Sequence, residues 1–85
     1  MKMLKFSASW CNPCKNLSRK MEGVEFKLPI EQIDIDSDEG ELSQKYKIRT
    51  VPTLVIVDDN DNEVAKLADS TVTVEFINEW IEKHT

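Results

Sequence analysis

The chain has two cysteines and one histidine among its 85 residues. A tetrahedral zinc site takes about four ligands, usually from two cysteine or histidine pairs. Here a zinc site would need a carboxylate or a second chain to complete it, and no metal centre is expected. His84 reads better as a helix C-terminal residue interacting with the dipole. A basic stripe is also missing: 11 Lys and Arg stand against 16 Asp and Glu, a formal net charge of −5. That balance argues against nucleic-acid binding. The acidic residues are densest over residues 31–41 and 58–63, and they read as solvated surface.

No apolar run approaches the roughly 20 residues of a membrane-spanning helix. The start, Met1-Lys2-Met3-Leu4-Lys5-Phe6, has neither the apolar core nor the cleavage site of a secretory signal. The expectation is a cytoplasmic protein that does not engage a membrane. In that compartment a cysteine pair is more often catalytic or metal-binding than a structural staple. There is no repeat, low-complexity tract or linker, so residues 1–85 are expected to form one domain with a small core.

What is present is a clear succession of periodic segments. Leu4, Phe6 and Ala8 alternate with Lys5, Ser7 and Ser9, the period of a short strand. Cys14, Leu17, Met21 and Val24 then recur at helical spacing, with Gly23 as a stop signal. Residues 30–36 form a second strand with Ile33 and Ile35 on one face. Ser37 or Asp38 is placed to cap a short helix with Glu39 and Glu41 in its first turn and Leu42 and Tyr46 on its buried side. Leu54-Val55-Ile56-Val57 is an uninterrupted apolar run, suited to a central strand covered on both faces. Residues 58–62 make a turn, residues 63–68 the returning strand of a hairpin, and Thr73 caps a last helix. Phe76, Ile77, Trp80 and Ile81 are the expected apolar face of that helix. The order β-α-β-α-β-β-α predicts an α/β fold: a four-stranded mixed sheet with three helices, a right-handed parallel crossover first and an antiparallel hairpin later.

Both cysteines fall in Ser7-Ala8-Ser9-Trp10-Cys11-Asn12-Pro13-Cys14-Lys15. Cys14 shares a stripe with Leu17 and Met21 and should point inward. Cys11 falls at the helix N-terminal tip, where unpaired N–H groups and the dipole favour an anion and lower a thiol pKa. Lys15 adds a positive charge nearby. An exposed thiolate beside a sheltered partner is what disulfide exchange requires. As a staple the pair is weak, because so short a loop constrains the unfolded chain little.

Two other segments carry motif-like spacing. Asp58-x-Asn60-x-Asn62 has the start of a calcium loop, but Glu63 and Asp69 stand where that loop needs glycine and glutamate, so a hairpin turn is expected. Pro52 opens an apolar strand without a ladder donor. A cis Val51–Pro52 bond would turn Val51 toward the cysteines, and an ordinary trans bond would continue the strand; spacing leaves both open.

These residues resemble the thioredoxin family. Trp10-Cys11-Asn12-Pro13-Cys14-Lys15 is similar to the family's Trp-Cys-Gly-Pro-Cys-Lys with Asn12 for glycine. Asp34-Ile35-Asp36 and residues 46–53, Tyr-Lys-Ile-Arg-Thr-Val-Pro-Thr, match further family segments in order. The resemblance spans nearly the whole chain and implies a cis Pro52. It is to a short form of glutaredoxin length, without the family's usual first strand and helix. It also departs in detail. Lys5 stands where the family carries an acid, Gln32 where it carries a lysine, and Ala68 where a glycine lines its groove; no proline kinks the helix near Arg19.

The resemblance implies a protein disulfide reductase that needs no cofactor. Cys11 would attack a substrate disulfide, Cys14 would resolve the mixed disulfide, and an internal Cys11–Cys14 bond would remain. Trp10, Pro13, Val51 and Pro52 would frame a groove for the substrate chain. Implied partners are disulfide-bearing proteins and a thioredoxin reductase, with ribonucleotide reductase as a family-level addition, and the protein is expected to be a monomer. Two alternatives stand beside this: a glutathione-dependent, glutaredoxin-like reductase, and a non-catalytic binding module. Lys15 and Lys5 are candidate modulators of the thiols. Lys5, opposite Leu4 and Phe6 on its strand, has three options: reaching solvent, pairing with a carboxylate, or lying near the dithiol as a positive charge. The last, favouring thiolate at Cys14, is the functional reading; an uncovered strand surface is the bland one.

Overall fold

The computed structural model describes residues 1–38 and 40–85. Seven elements follow the expected order: β1 (Lys2–Ser7), α1 (Asn12–Met21), β2 (Ile30–Asp34), α2 (Glu41–Lys45), β3 (Thr53–Val57), β4 (Glu63–Leu67) and α3 (Val74–His84). The sheet order is β2-β1-β3-β4. β1 pairs parallel with β2, Met3 opposite Ile30 and Ser7 opposite Asp34. It pairs antiparallel with β3, Lys5 opposite Leu54, and β4 returns antiparallel along β3. The mixed sheet is the one the sequence predicts.

Apolar side chains are divided by the sheet into two layers. On one face Met3, Leu54 and Ile56 pack with Leu17 and Met21 of α1 and Ile77 and Ile81 of α3. On the other, Leu4, Phe6, Val55 and Val57 pack with Tyr46 and with Leu42 of α2. β1 and β3 are therefore covered on both sides, and every residue of β3 is buried. Covering both faces also buries Lys5, at 2% exposure, although the sequence period suggested a half-buried strand.

Local chemistry sets the ends of the elements. α1 stops at Met21, and the following Gly23 takes φ +75°, a left-handed conformation that costs glycine little. Val24 lies beyond the helix instead of on its stripe. β2 ends two residues earlier than expected, at Asp34, because Ser37 N and Asp38 N turn back onto Asp34 O. The N-cap of α2 is Gly40 (φ +78°), not Ser37 or Asp38. Asp38 nevertheless serves that helix, since its carboxylate accepts from Leu42 N and Ser43 N. The expected first-turn position of Glu39 lies outside the described residues. In the turn after β3, Asp58 Oδ1 accepts from Asn60 N and Asn62 N, the geometry of a hairpin loop.

Thr73 caps α3 as expected, its Oγ1 accepting from Phe76 N at 3.1 Å. The apolar face of this helix is narrower than the sequence suggested. Ile77 and Ile81 are fully buried, Trp80 is partly covered, and Phe76 is 47% exposed. Phe76 precedes Ile77 by one position, and that rotation carries it off the sheet-facing side. His84 ends α3 with its ring edge-on to Trp80 at 6.1 Å. Among the described residues, no helix is long and apolar enough to cross a membrane.

Candidate active site

β1 and β2 run parallel, so the segments leaving their C-terminal ends emerge together at one end of the sheet. The first carries Trp10 and Cys11 into α1; the second carries Ile35 and Asp36. This is the usual position for a site on such a sheet. The loop from α2 into β3 brings Val51 and Pro52 to the same place, where Cys11 Sγ lies 3.6 Å from Val51 O. The Val51–Pro52 peptide bond is cis. Ala8, Ile35 and Val51 pack around the two cysteines.

Cys11 and Cys14 are joined in a disulfide, their Cα atoms 5.3 Å apart. Cys11 is the N-cap of α1, and its Sγ accepts from Cys14 N at 3.2 Å. Pro13 fits the first turn, where its missing N–H costs nothing. On reduction, the same N–H and the positive end of the helix stabilise a thiolate at Cys11. One expectation needs correcting. Cys11 is not exposed: it is 5% accessible and Cys14 2%. The apolar packing of Ala8, Ile35 and Val51 covers the disulfide, so the two sulfurs differ in surroundings more than in exposure.

Of the four predicted groove residues, Trp10 and Val51 line one depression, and Pro13 and Pro52 are not part of its lining. Trp10 is 65% exposed, and its Nε1 donates to Asp36 Oδ2 at 3.0 Å. With Ile35, Ile48, Arg49, Thr50 and Val51 it lines a depression of 290 Å³ beside the disulfide. Lys15 is exposed on the first turn of α1 and lines a second cleft, on the Cys14 side. Lys5 reaches neither solvent nor a described carboxylate, and its strand face is not bare. Its Nζ reaches Ser18 Oγ under α1, and burial pushes its pKa below the ordinary lysine value.

Three contributors went unassigned in the sequence. Asp36 is read in the sequence as the end of the second strand and as part of a resembling segment, yet the parallel β1–β2 pairing is what brings it to Trp10. Arg49 joins the groove because the α2–β3 loop folds back over it. Ser18 carries a legible signal, since it falls one helical turn after Cys14.

Residues 1–83 match the thioredoxin family model. The chain belongs to the thioredoxin family. It is 33% identical over 85 residues to a thioredoxin from Chlamydia pneumoniae, a match covering 96% of this chain and 80% of the relative. It is 32% identical over 83 residues to a thioredoxin from Bacillus subtilis, covering 93% and 77%. Among solved structures, a thioredoxin mutant from Halobacterium salinarum superposes with a TM-score of 0.83 at 28% identity, over 98% of this chain and 73% of that one. With this family membership, the Cys11–Cys14 pair makes the protein a thiol–disulfide oxidoreductase. As a thioredoxin it retains the cysteine motif on β1–α1 while placing Lys5 beneath the helix.

Proposed function

We propose that this thioredoxin is a general protein disulfide reductase. The observation that carries the reading is the Cys11–Cys14 pair at the N-terminus of α1, flanked by the Trp10–Val51 groove. In the reduced protein the Cys11 thiolate attacks one sulfur of a substrate disulfide. The substrate's other sulfur departs as a thiolate, and a mixed disulfide to Cys11 remains. The Cys14 thiolate then attacks Cys11 Sγ, the second substrate sulfur leaves, and the internal disulfide closes. Two electrons pass from the protein to the substrate. Val51 O and the exposed indole of Trp10 are positioned to hold an extended substrate segment across the disulfide.

The partners of this reading are disulfide-bearing proteins, with a thioredoxin reductase as electron donor and ribonucleotide reductase as one family-level substrate. Insulin reduction, with dithiothreitol recycling the protein, tests the activity. Turnover above dithiothreitol alone is expected, and its absence would sink the proposal. Rapid reduction of the oxidised protein by a thioredoxin reductase, with slow reduction by glutathione, separates it from a glutaredoxin-like enzyme.

A further inference from the structure

Lys5 is the one lysine of this chain that is almost wholly buried, at 2% exposure. A buried ammonium is costly unless opposite charge is paired with it. Its Nζ donates to the hydroxyl of Ser18 on α1, and the ion pairs of the described residues all lie elsewhere. Burial lowers its pKa, and no neighbouring carboxylate counters that shift. The fold thus holds a cation without supplying its counter-charge.

The space beside that cation is open. A cleft of 380 Å³ between α1 and β2 is lined by Lys5, Ser18, Arg19 and Gln32. Each of these brings a hydrogen-bond donor. Arg19 is exposed and makes no ion pair among the described residues. Its guanidinium is a planar fork of N–H groups that grips two oxygens at once. Ser18 Oγ accepts from Lys5 and, among the described residues, donates to nothing, so its own hydrogen is left for a ligand. Gln32 is the β2 residue registered beside Lys5, and it adds a side-chain amide. Met21 and Ile30 supply apolar walls, next to which charge attraction is stronger than in open water. One acid, Glu22 at the C-cap of α1, faces the same space. Two cations therefore stand against one carboxylate. Around this cleft the other charges, Lys15 and Asp34 of the adjoining one, are balanced, and β3 presents only the apolar Leu54 opposite Lys5.

We infer that this cleft binds a phosphoryl dianion, as free phosphate or as the head of a phosphomonoester, with Lys5 and Arg19 as its charge partners. The donor set selects that chemistry. An ammonium, a guanidinium fork, a hydroxyl and an amide need several acceptor oxygens on one centre, and the two cations need two negative charges. A carboxylate has one charge and two oxygens, and a halide has no oxygen for the fork. At 380 Å³ the cleft falls within the range of about 300–1,000 Å³ usual for small-molecule sites, which leaves room for the organic part of an ester. The site is built from side chains, not from a helix terminus. It is also distinct from the dithiol: Cys14 lines the adjoining cleft and not this one, and Trp10 and Val51 line a third. The inference is therefore independent of the disulfide-exchange reading.

Amide chemical shifts of the ¹⁵N-labelled protein test the site. The protein is titrated near neutral pH with inorganic phosphate and, separately, with glycerol 3-phosphate, while sodium chloride holds the ionic strength constant. Saturable shifts are expected around Lys5, Ser18, Arg19 and Gln32. Saturation by both probes assigns the phosphoryl group itself as the ligand, and saturation by the ester alone assigns a phosphomonoester. Shifts that stay linear with both probes, or that sodium chloride reproduces, overturn the proposal. Lys5→Met and Arg19→Gln should each weaken the affinity about 10- to 100-fold, the loss expected for a charged hydrogen-bonding partner. Glu22→Gln should tighten it about 2- to 5-fold by removing the one opposing charge. Wild-type affinity in Lys5→Met overturns the site. Should that variant fail to fold, the two exposed positions decide: unchanged affinity in both Arg19→Gln and Glu22→Gln overturns the site, and weakening in the first with tightening in the second supports it.

Discussion

The indole of Trp10 and the carboxylate of Asp36 are joined by a 3.0 Å hydrogen bond between segments 26 residues apart in sequence. Trp10 is otherwise open to solvent, so this bond is the main restraint on the wall of the groove. A typical hydrogen bond contributes on the order of 1 kcal/mol net. Asp36→Ala should lower kcat/KM for insulin reduction about 2- to 10-fold, with little change in unfolding free energy. The Trp10→Phe and Asp36→Ala effects should be non-additive, as a double-mutant cycle would show. Independent effects would mean that the bond does not position the groove.

The environments of the two sulfurs predict an order of reactivity. Cys11 Sγ meets the Cys14 N–H and the helix terminus, whereas Cys14 lies deeper on the apolar stripe. In the reduced protein, iodoacetamide should modify Cys11 with a midpoint below the ordinary thiol value of about 8.5. Cys14 should react later and at higher pH. Peptide mapping after quenching at a series of pH values checks this, and equal profiles would contradict it.

Burial of Lys5 predicts a stability effect separate from any role in chemistry. Its folded-state pKa is lowered from 10.5 by desolvation. Between the lowered folded value and 10.5 the unfolded chain binds the proton more readily, so wild-type stability rises with pH across that window. Lys5→Met should therefore raise the urea midpoint at neutral pH without changing m. The gain should shrink as pH approaches 10.5. Destabilisation by Lys5→Met at every pH would show that the Ser18 contact outweighs the desolvation.

α3 depends on its cap as well as on Ile77 and Ile81. Thr73→Ala removes the acceptor for Phe76 N and should cost about 1 kcal/mol in urea unfolding. Thr73→Ser should restore most of it. An unchanged midpoint for Thr73→Ala would mean that packing alone holds the helix end.

Much of the architecture was legible because local and long-range signals agree. The Cys14–Leu17–Met21 stripe, the Thr73 cap, the residue 58–62 turn and the apolar run of β3 each appear as read. The site was legible where one segment carries it, as with Cys11 at the tip of α1. It was not legible where the sheet assembles it from distant segments. Trp10 meets Asp36 only because β1 and β2 are parallel neighbours, and Lys5 is buried only because α1 covers its face. The same limit explains Phe76 and Cys11. A period along one helix does not say how wide a face its neighbours cover, and a helix tip does not say which loops close over it.

The sheet ends on β2 and β4, and both margins carry charge. β2 offers Glu31, Gln32 and Asp34 to solvent, with Lys2 bound to Glu31 at 3.2 Å, and β4 offers Glu63 and Lys66. Between Ile56 and Val57 the β3–β4 register shifts, which breaks the regularity of that margin. Strand margins are templates for edge-to-edge growth unless they are interrupted in these ways. The acid spread over this chain, of which β2 is part, thus acts as a colloidal safeguard: crowded copies repel one another along the β2 line, on which a small sheet would otherwise extend into aggregates.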